Sequence, residues 1–293
     1  MYELLVISGK GGTGKTSITA ALASTGPCKV LADCDVDAAD LHLVAAPTQS
    51  ETTPFHSGQR AVIVPELCIQ CGRCREKCRF NAVDATFHLR SELCEGCGVC
   101  AFVCPTQAIQ MTERLCGHWY RSQTRFGPMI HAALGIGEEN SGKLVTTVRK
   151  ESGVTARAQG IEVILTDGPP GIGCPVIASL TNTSMALLVT EPTLSALHDL
   201  ERIVKLTRHF RVPVAAVLNK ADIHPALADE VRAWCAAEAV PVLAEFHWTA
   251  DFTQAQVRGC SVVEYRPDSW QSQFEALWEA VLYRMGAPTR DPQ

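Results

Sequence analysis

The chain has 293 residues, 46% of them hydrophobic and 19% charged, with a formal net charge of −5. That balance fits a globular core in one large or two modest domains; the negative charge argues against non-specific nucleic-acid binding, and no apolar run reaches the ~20 residues of a membrane helix. Fourteen cysteines, in a chain that opens without a basic leader and so predicts a cytoplasmic location, read as metal or redox-centre ligands rather than disulfides.

In chain order, the apolar run YELLVIS (2–8) predicts a strand, followed by a glycine-rich turn and a helix from Lys15 to about Ser24. KVLAD predicts a second strand ending at Asp33, and DCDVDAAD then places Asp33, Asp35, Asp37 and Asp40 together. After about Thr48 the alternation stops, and a Thr/Ser/Gly/Pro-containing link leads into two cysteine clusters. IEVILTD (161–167), MALLVTE (185–191), VPVAAVLNK (212–220) and PVLAEF (241–246) predict further buried strands, separated by segments such as Leu194–Arg208 with helical spacing. Strands alternating with helices imply an α/β fold, a mainly parallel sheet covered on both faces. The expected layout is an α/β domain from residues 1–56 and 114–293, interrupted by a small cysteine-bearing domain at 57–113. Near the C-terminus, QFEALWEAVLYRM sets Phe274, Leu277, Trp278, Val281 and Leu282 on one helical face, read as core packing rather than membrane binding because Glu275 and Glu279 would repel anionic lipid.

GKGGTGKT (9–16) fits G-x-x-x-x-G-K-[ST] between a strand and a helix, the context a P-loop needs. Backbone N–H groups around Gly11, Gly12, Thr13 and Gly14, with Ser17 behind them, would close on phosphate oxygens at a helix N-terminus. Lys15 would reach the β- and γ-phosphates and Thr16 would ligate Mg²⁺. Asp167, at the end of the strand in LTDGPPG, is the candidate Walker B carboxylate for the same ion, and Asp35 the candidate for water activation or magnesium contact. GEENSGKL (137–144) also reads G-x-x-x-x-G-K, but Leu144 replaces the hydroxyl and no strand is predicted before it.

C-x2-C-x2-C-x3-C occurs twice, as Cys68, Cys71, Cys74, Cys78 and as Cys94, Cys97, Cys100, Cys104. CxxC pairs also build zinc ribbons, but this repeated register, closed by Pro105 in the second run, favours iron–sulfur ligation. Most of the other cysteines read as small hydrophobes or inert thiols.

Two resemblances gather these motifs. With Lys10 at the start of the loop, K-G-G-x-G-K-T resembles the MinD/ParA/nitrogenase-iron-protein group of P-loop ATPases, a likeness extending to Asp35, Asp167, Gly171 and Asn219. It implies ATP and Mg²⁺ binding, hydrolysis, and a homodimer through the nucleotide face in which Lys10 reaches the partner's phosphates. It also implies switch segments at Asp35 and at Gly171, and an adenine contact at Asn219. The cysteine block resembles the bacterial two-cluster ferredoxin, where the fourth cysteine of each run serves the other cluster. That implies one [4Fe–4S] centre on Cys68, Cys71, Cys74 and Cys104 and another on Cys94, Cys97, Cys100 and Cys78, with Arg79 standing where proline is usual. Cys174 follows Asp167 at the offset of the cysteine that bridges the nitrogenase iron protein dimer, so a third, shared cluster there, helped by Cys116, is a further expectation. The composite implies nucleotide-driven switching coupled to electron transfer, or to metal-centre maturation, in a redox or metalloprotein partner. Alternatives are a positioning or scaffold ATPase with structural or redox-sensing clusters, and a cluster carrier.

Overall fold

The computed structural model describes residues 1–135, 138 and 142–287. β1 (Tyr2–Ser8) leads into α1 (Lys15–Ser24), β2 (Lys29–Asp33) and a short α2 (Leu41–Ala45). The long β3 (Gln49–Ile63) enters the cysteine segment, which holds α3 (Arg73–Lys77) and α4 (Val99–Phe102). The chain returns along β4 (Ile109–Thr124) and turns into β5 (Gly127–Leu134). There follow α5 (Lys143–Gln159), β6 (Val163–Pro170), α6 (Cys174–Leu180), β7 (Met185–Thr190) and α7 (Leu194–His209). The series ends with β8 (Val214–Asn219), α8 (Pro225–Ala237), β9 (Val242–Phe246), α9 (Ala250–Val257), α10 (Val262–Tyr265) and α11 (Pro267–Met285).

Two compact units result: Met1–Thr53, Trp119–Ala133 and Asn140–Gln293 form one, and Pro54–His118 with Leu134–Glu139 the other. β3 and β4 are the two strands that carry the chain from the first unit into the second and back.

The sheet order is β3-β4-β5-β2-β6-β1-β7-β8-β9. From β5 to β9 the recorded pairings are parallel. Both faces of this part are covered, as a parallel sheet requires. Leu4 and Val6 point into one core with Leu22, Phe274 and Trp278; Leu5 and Ile7 point into the other with Val176, Leu200 and Val231. The period-2 alternation of a strand thus feeds two helical layers from one run of apolar residues. In α11 the predicted face is buried, and the Trp278 indole donates to the Leu22 carbonyl at 2.8 Å. Gly26, at φ +73°, passes against that indole, where a Cβ would overlap Trp278.

The edge of the sheet departs from the sequence reading. Residues 49–63 form a strand rather than a link, paired to β4 so that Ser50 meets Ser122 and Arg60 meets Thr112, which makes the two antiparallel. The reason is physical: β3 is the terminal strand, most of its side chains are exposed, and Pro54 is tolerated at an edge. No apolar alternation marks such a strand. β5 also precedes the GEENSGKL segment, against the expectation of no strand there. Gly137, Glu139, Asn140 and Ser141 of that segment lie outside the described residues, and Leu144 is buried in the core, offering no hydroxyl.

Beside α2, His131 of β5 is stacked between His42 (ring centroids 5.7 Å apart, 7° between planes) and Tyr120 of β4 (4.8 Å). Its Nε2 lies 2.9 Å from Ser122 Oγ, and Ser122 in turn meets Ser50. Burial, then the neighbouring His42, push the His131 pKa from 6.5 down to about 4. The unfolded chain therefore takes up the proton first, so the contribution to stability is complete at neutral pH and is lost as pH falls from about 6.5 toward about 4. Between pH 7 and 5.5 this amounts to about 1 kcal/mol. Thermal unfolding of the wild type and of His131→Asn at both pH values checks it: the wild-type midpoint should drop on acidification by more than that of the variant.

Candidate functional site: a phosphate loop and two cysteine pockets

The P-loop segment spans the end of β1 to the first turn of α1. Gly14 adopts φ +92°, and a Cβ there would collide with the Asn219 amide. Asn219 is buried at the end of β8; its Nδ2 donates to the Thr13 carbonyl at 2.8 Å and its Oδ1 accepts from the Lys220 N–H at 3.0 Å. The Asn219 amide thus braces the loop. Cβ atoms built on Gly11, Gly12 and Gly171 would meet nothing within 4 Å, so the loop borders open space. Thr13 Oγ1 is buried without a partner among the described residues. A cradle of this kind, with an unspent hydroxyl and exposed glycine backbone, fits a polyphosphate.

Behind the loop, two neighbouring strands, β2 and β6, bring the acids to one lysine. Asp33 and Asp167 sit side by side in the register of β2 and β6. Lys15 Nζ lies 3.0 Å from Asp167 Oδ1 and 3.2 Å from Asp35 Oδ2. Thr16 donates to Asp167 Oδ2 at 2.8 Å, and Thr19 Oγ1 lies 2.9 Å from Asp167 Oδ1. Burial works against a charged Lys15, but Asp167, Asp35 and Asp33 outweigh it and raise its pKa. Asp33 is fully buried, and desolvation with repulsion from Asp167 holds its pKa well above the usual range. Its carboxylate accepts the N–H groups of Asp35 and Leu41, both at 3.2 Å, and so shapes the turn that carries Asp35. Burial raises Asp35 as well, with Lys15 opposing. Asp37 and Asp40 are exposed. Ser17 Oγ accepts from Gln256 at 2.9 Å, and Gly171, at φ +88°, donates its N–H to the Ser8 carbonyl.

Lys10 is held on its own chain. Its Nζ lies 2.8 Å from Glu191 Oε1 and donates to Thr193 and Ser195 at 3.0 and 3.1 Å. The other Glu191 oxygen takes Lys220, whose Nζ also donates to the Gly12 carbonyl at 2.8 Å. Burial alone would raise the Glu191 pKa; the two lysines bring it below its ordinary value. Glu191, Lys220, Thr19 and Thr193 went unnoticed in the sequence. The signal available was position alone: MALLVTE and VPVAAVLNK put Glu191 and Lys220 at strand ends on the loop side.

In the second unit the eight cysteines gather around two pockets. Cys68, Cys71, Cys74 and Cys104 line one, with Ile69, Arg73 and Ile109. Cys78, Cys94, Cys97 and Cys100 line the other, with Phe80, Val83, Val99 and Met111. The two runs repeat each other's backbone: Gln70 and Gly72 match Gly96 and Gly98 in positive φ, as do Asn81 and Gln107. The repeat aims an N–H at the last sulfur of each run, from Ala82 to Cys78 Sγ and from Ala108 to Cys104 Sγ, both at 3.3 Å. Among the described residues no three His, Cys, Asp or Glu side chains converge on a single-ion site. Four sulfurs round each apolar pocket, with N–H groups turned to the sulfurs, fit an iron–sulfur cube. Of the two remaining candidates, Cys174 is exposed at the start of α6, and Cys116 is a buried thiol donating to the Ser57 carbonyl at 3.1 Å.

Comparison with known proteins agrees with both halves. Residues 61–111 match the 4Fe-4S dicluster domain. MJ0578, an uncharacterised protein of Methanocaldococcus jannaschii, is 34% identical over 75% of this chain and 78% of its own. The chain belongs to the same family as MJ0578. Its fold is that of the MinD/ParA P-loop ATPases, joined to a 4Fe–4S domain. The cell division ATPase MinD of Pyrococcus furiosus superposes over 96% of this chain and 98% of its own with a TM-score of 0.58 at 21% identity. The septum site-determining protein MinD of Pyrococcus horikoshii, complexed with Mg-ADP, covers 96% of this chain and 95% of its own with a TM-score of 0.55 at 19% identity. No helix among the described residues is long and apolar enough to cross a membrane.

Proposed function

We propose that the protein is an Mg²⁺-dependent ATPase in which nucleotide-driven dimer switching controls electron delivery from two [4Fe–4S] clusters to a protein partner. The observation that carries the reading is the convergence of Lys15, Thr16, Asp35 and Asp167 at one end of a sheet whose strands β3 and β4 continue into the unit holding both cysteine pockets. Thr16 and Asp167 would hold the magnesium ion, which supplies charge compensation for the departing phosphate. Asp35, hydrogen-bonded to Lys15 and kept in place through Asp33, is positioned to orient the attacking water or the ion's water shell. The loop backbone and Lys15 bind and orient the phosphates. Cys68, Cys71, Cys74 and Cys104 would hold one cluster and Cys78, Cys94, Cys97 and Cys100 the other, each supplying one-electron redox chemistry.

Lys10 completes the scheme. To reach a partner's phosphates it must exchange Glu191, Thr193 and Ser195 for phosphate oxygens, which ties its release to dimer formation. Lys10→Ala should therefore reduce ATP hydrolysis about 10²- to 10³-fold while leaving ATP affinity within about threefold of wild type. Equilibrium binding beside steady-state turnover checks this; affinity and turnover falling together would place Lys10 in ground-state binding instead.

The whole reading is tested by stopped-flow oxidation of the dithionite-reduced, anaerobically purified protein in the presence of ADP or a non-hydrolysable ATP analogue. A rate of electron loss to an acceptor that changes at least about tenfold between the two nucleotides supports gating. Equal rates with both, at saturating nucleotide, would leave the ATPase and the clusters uncoupled and favour the scaffold reading.

A further inference from the structure

The cysteine-bearing unit presents a polarised surface beside its pockets. From Arg73 to Phe80 the chain carries Arg73, Arg75, Lys77 and Arg79 against the single carboxylate of Glu76, in a protein whose formal net charge is −5. Glu76 is taken by Lys77 at 2.9 Å, whereas Arg73, Arg75 and Arg79 are exposed and form no ion pair among the described residues. The helix α4 packs against α3, and it and Phe80, next to Arg79 in the chain, carry apolar side chains that a folded unit would ordinarily cover. Phe102 at the end of α4 is 91% exposed, and Phe80 and Val99, both lining the second pocket, are 44% and 42% exposed. Arginines beside bare aromatics, over a pair of redox-ligand pockets, are the composition of a transient protein interface.

We propose that this face, formed by α3, Arg79–Phe80 and α4, docks an electron-transfer protein with an acidic surface around its own redox centre. Arg73, Arg75 and Arg79 steer the encounter, and Phe80, Val99 and Phe102 form the dry middle of the contact. The charge argument chooses the partner: opposite charge is attracted over about a Debye length, while Phe102 and Val99 gain only from close apolar contact that excludes water. In the step this face would serve, one electron leaves a reduced cysteine-held cluster and enters the oxidised centre of the docked acceptor; no bond is exchanged between the proteins, and a flavin acceptor takes the proton of its semiquinone from solvent. The reductant that recharges the cluster is a low-potential one-electron donor, dithionite in the assay. The inference rests on the electron-delivery reading and names the kind of partner that reading requires.

The test uses the full-length, cluster-loaded protein and two redox probes of opposite charge, an acidic flavodoxin and the basic mitochondrial cytochrome c. Binding is measured by surface plasmon resonance at 50 and 500 mM NaCl, separately from electron transfer. Wild type should bind flavodoxin in preference to cytochrome c, and lose at least about tenfold in affinity at the higher salt. Reversing the three guanidinium groups (R73E/R75E/R79E) should invert the preference; Phe102→Ala should weaken flavodoxin binding about 5- to 30-fold without changing its salt dependence. Iron, sulfide and the electron paramagnetic resonance spectrum confirm that each variant keeps its clusters. A shifted cluster potential would alter transfer to both probes in the same sense, so an inverted preference is not explained by it.

The proposal is overturned if the triple variant keeps the wild-type preference. It is equally overturned if a single-stranded oligonucleotide outcompetes flavodoxin on this face, or if the face proves to bury itself in self-association by sedimentation. Salt-insensitive transfer to both probes would sink the docking face while sparing electron delivery. Charge-dependent binding with no transfer to either probe would spare the face and sink electron delivery.

Discussion

On the proposed ATPase reading, replacing Lys15 with alanine should lower ATP turnover by about 10³-fold or more, and it should also destabilise the P-loop unit in a pH-dependent way. The first effect follows from the loss of the cation proposed to cradle the phosphates. The second follows from what Lys15 does with no nucleotide bound. It is buried at 6% side-chain exposure and is the cation that pairs with both Asp35 and Asp167, with Asp33 fully buried beside them. Removing one member of such a buried set leaves carboxylates without a counter-ion, which costs about 3–5 kcal/mol.

The sign of the pH dependence is fixed by the acids. Asp33 and Asp35 already have raised folded-state pKa values with the lysine present, and without it both rise further. A carboxyl group whose folded pKa lies above its unfolded value binds its proton more readily in the native state, so the penalty is largest at high pH and relaxes as pH falls. The gap in melting temperature between wild type and Lys15→Ala should accordingly shrink from pH 8 to pH 5.5, and scanning calorimetry reads it. Asp167→Asn separates the two roles: it removes one of the competing charges, so turnover falls as steeply while the melting temperature changes far less. A pH-independent gap for Lys15→Ala would mean that the site relaxes by admitting water or cations, and that the lysine matters to phosphate alone.

What could be seen in the sequence divides along the same physical line. The strand–turn–helix from Tyr2 to Ser24 was legible because two-sided burial demands an unbroken apolar run and because the loop needs glycines at fixed offsets. The cysteine runs were legible because ligand spacing is set locally. β3 was illegible, since an exposed edge strand has no apolar face to write into its sequence and its pairing partner lies some sixty residues on in β4. The brace around Lys10 was illegible for a related reason. Glu191 and Lys220 are each ordinary in their own loops, and only the order β1-β7-β8 in the sheet brings both to the P-loop. Asn219 shows a third case: the resemblance to the MinD/ParA group marked it, but its hydrogen bond to the Thr13 carbonyl comes from tertiary structure.

Cysteine variants should reveal a crossed pattern of iron loss. Cys104→Ala changes the second run, yet should empty the pocket built mostly by the first run, leaving about half the iron and acid-labile sulfide. The double variant Cys68→Ala/Cys104→Ala touches one pocket twice, so it should retain as much iron as either single change. Cys100→Ala/Cys104→Ala touches both pockets although its changes share one run, and should retain almost none. If each run instead held its own cluster, the two double variants would exchange outcomes, so iron and sulfide per chain decide between the arrangements. Folding sets one condition on the experiment. The second unit's buried apolar cluster is small, with Ala61, Cys74, Ala82, Val83, Cys94 and Ile109 at its centre, so much of its cohesion must come from whatever the sulfurs bind. Limited proteolysis therefore accompanies the assay: single variants should stay resistant between residues 54 and 118, and the variant emptied of both clusters should be cut there. Should a single alanine change already expose that stretch, the corresponding serine variants, which keep an oxygen ligand at the same position, preserve the comparison. The crossed pattern is then read from which pairs of serines are additive and which are not.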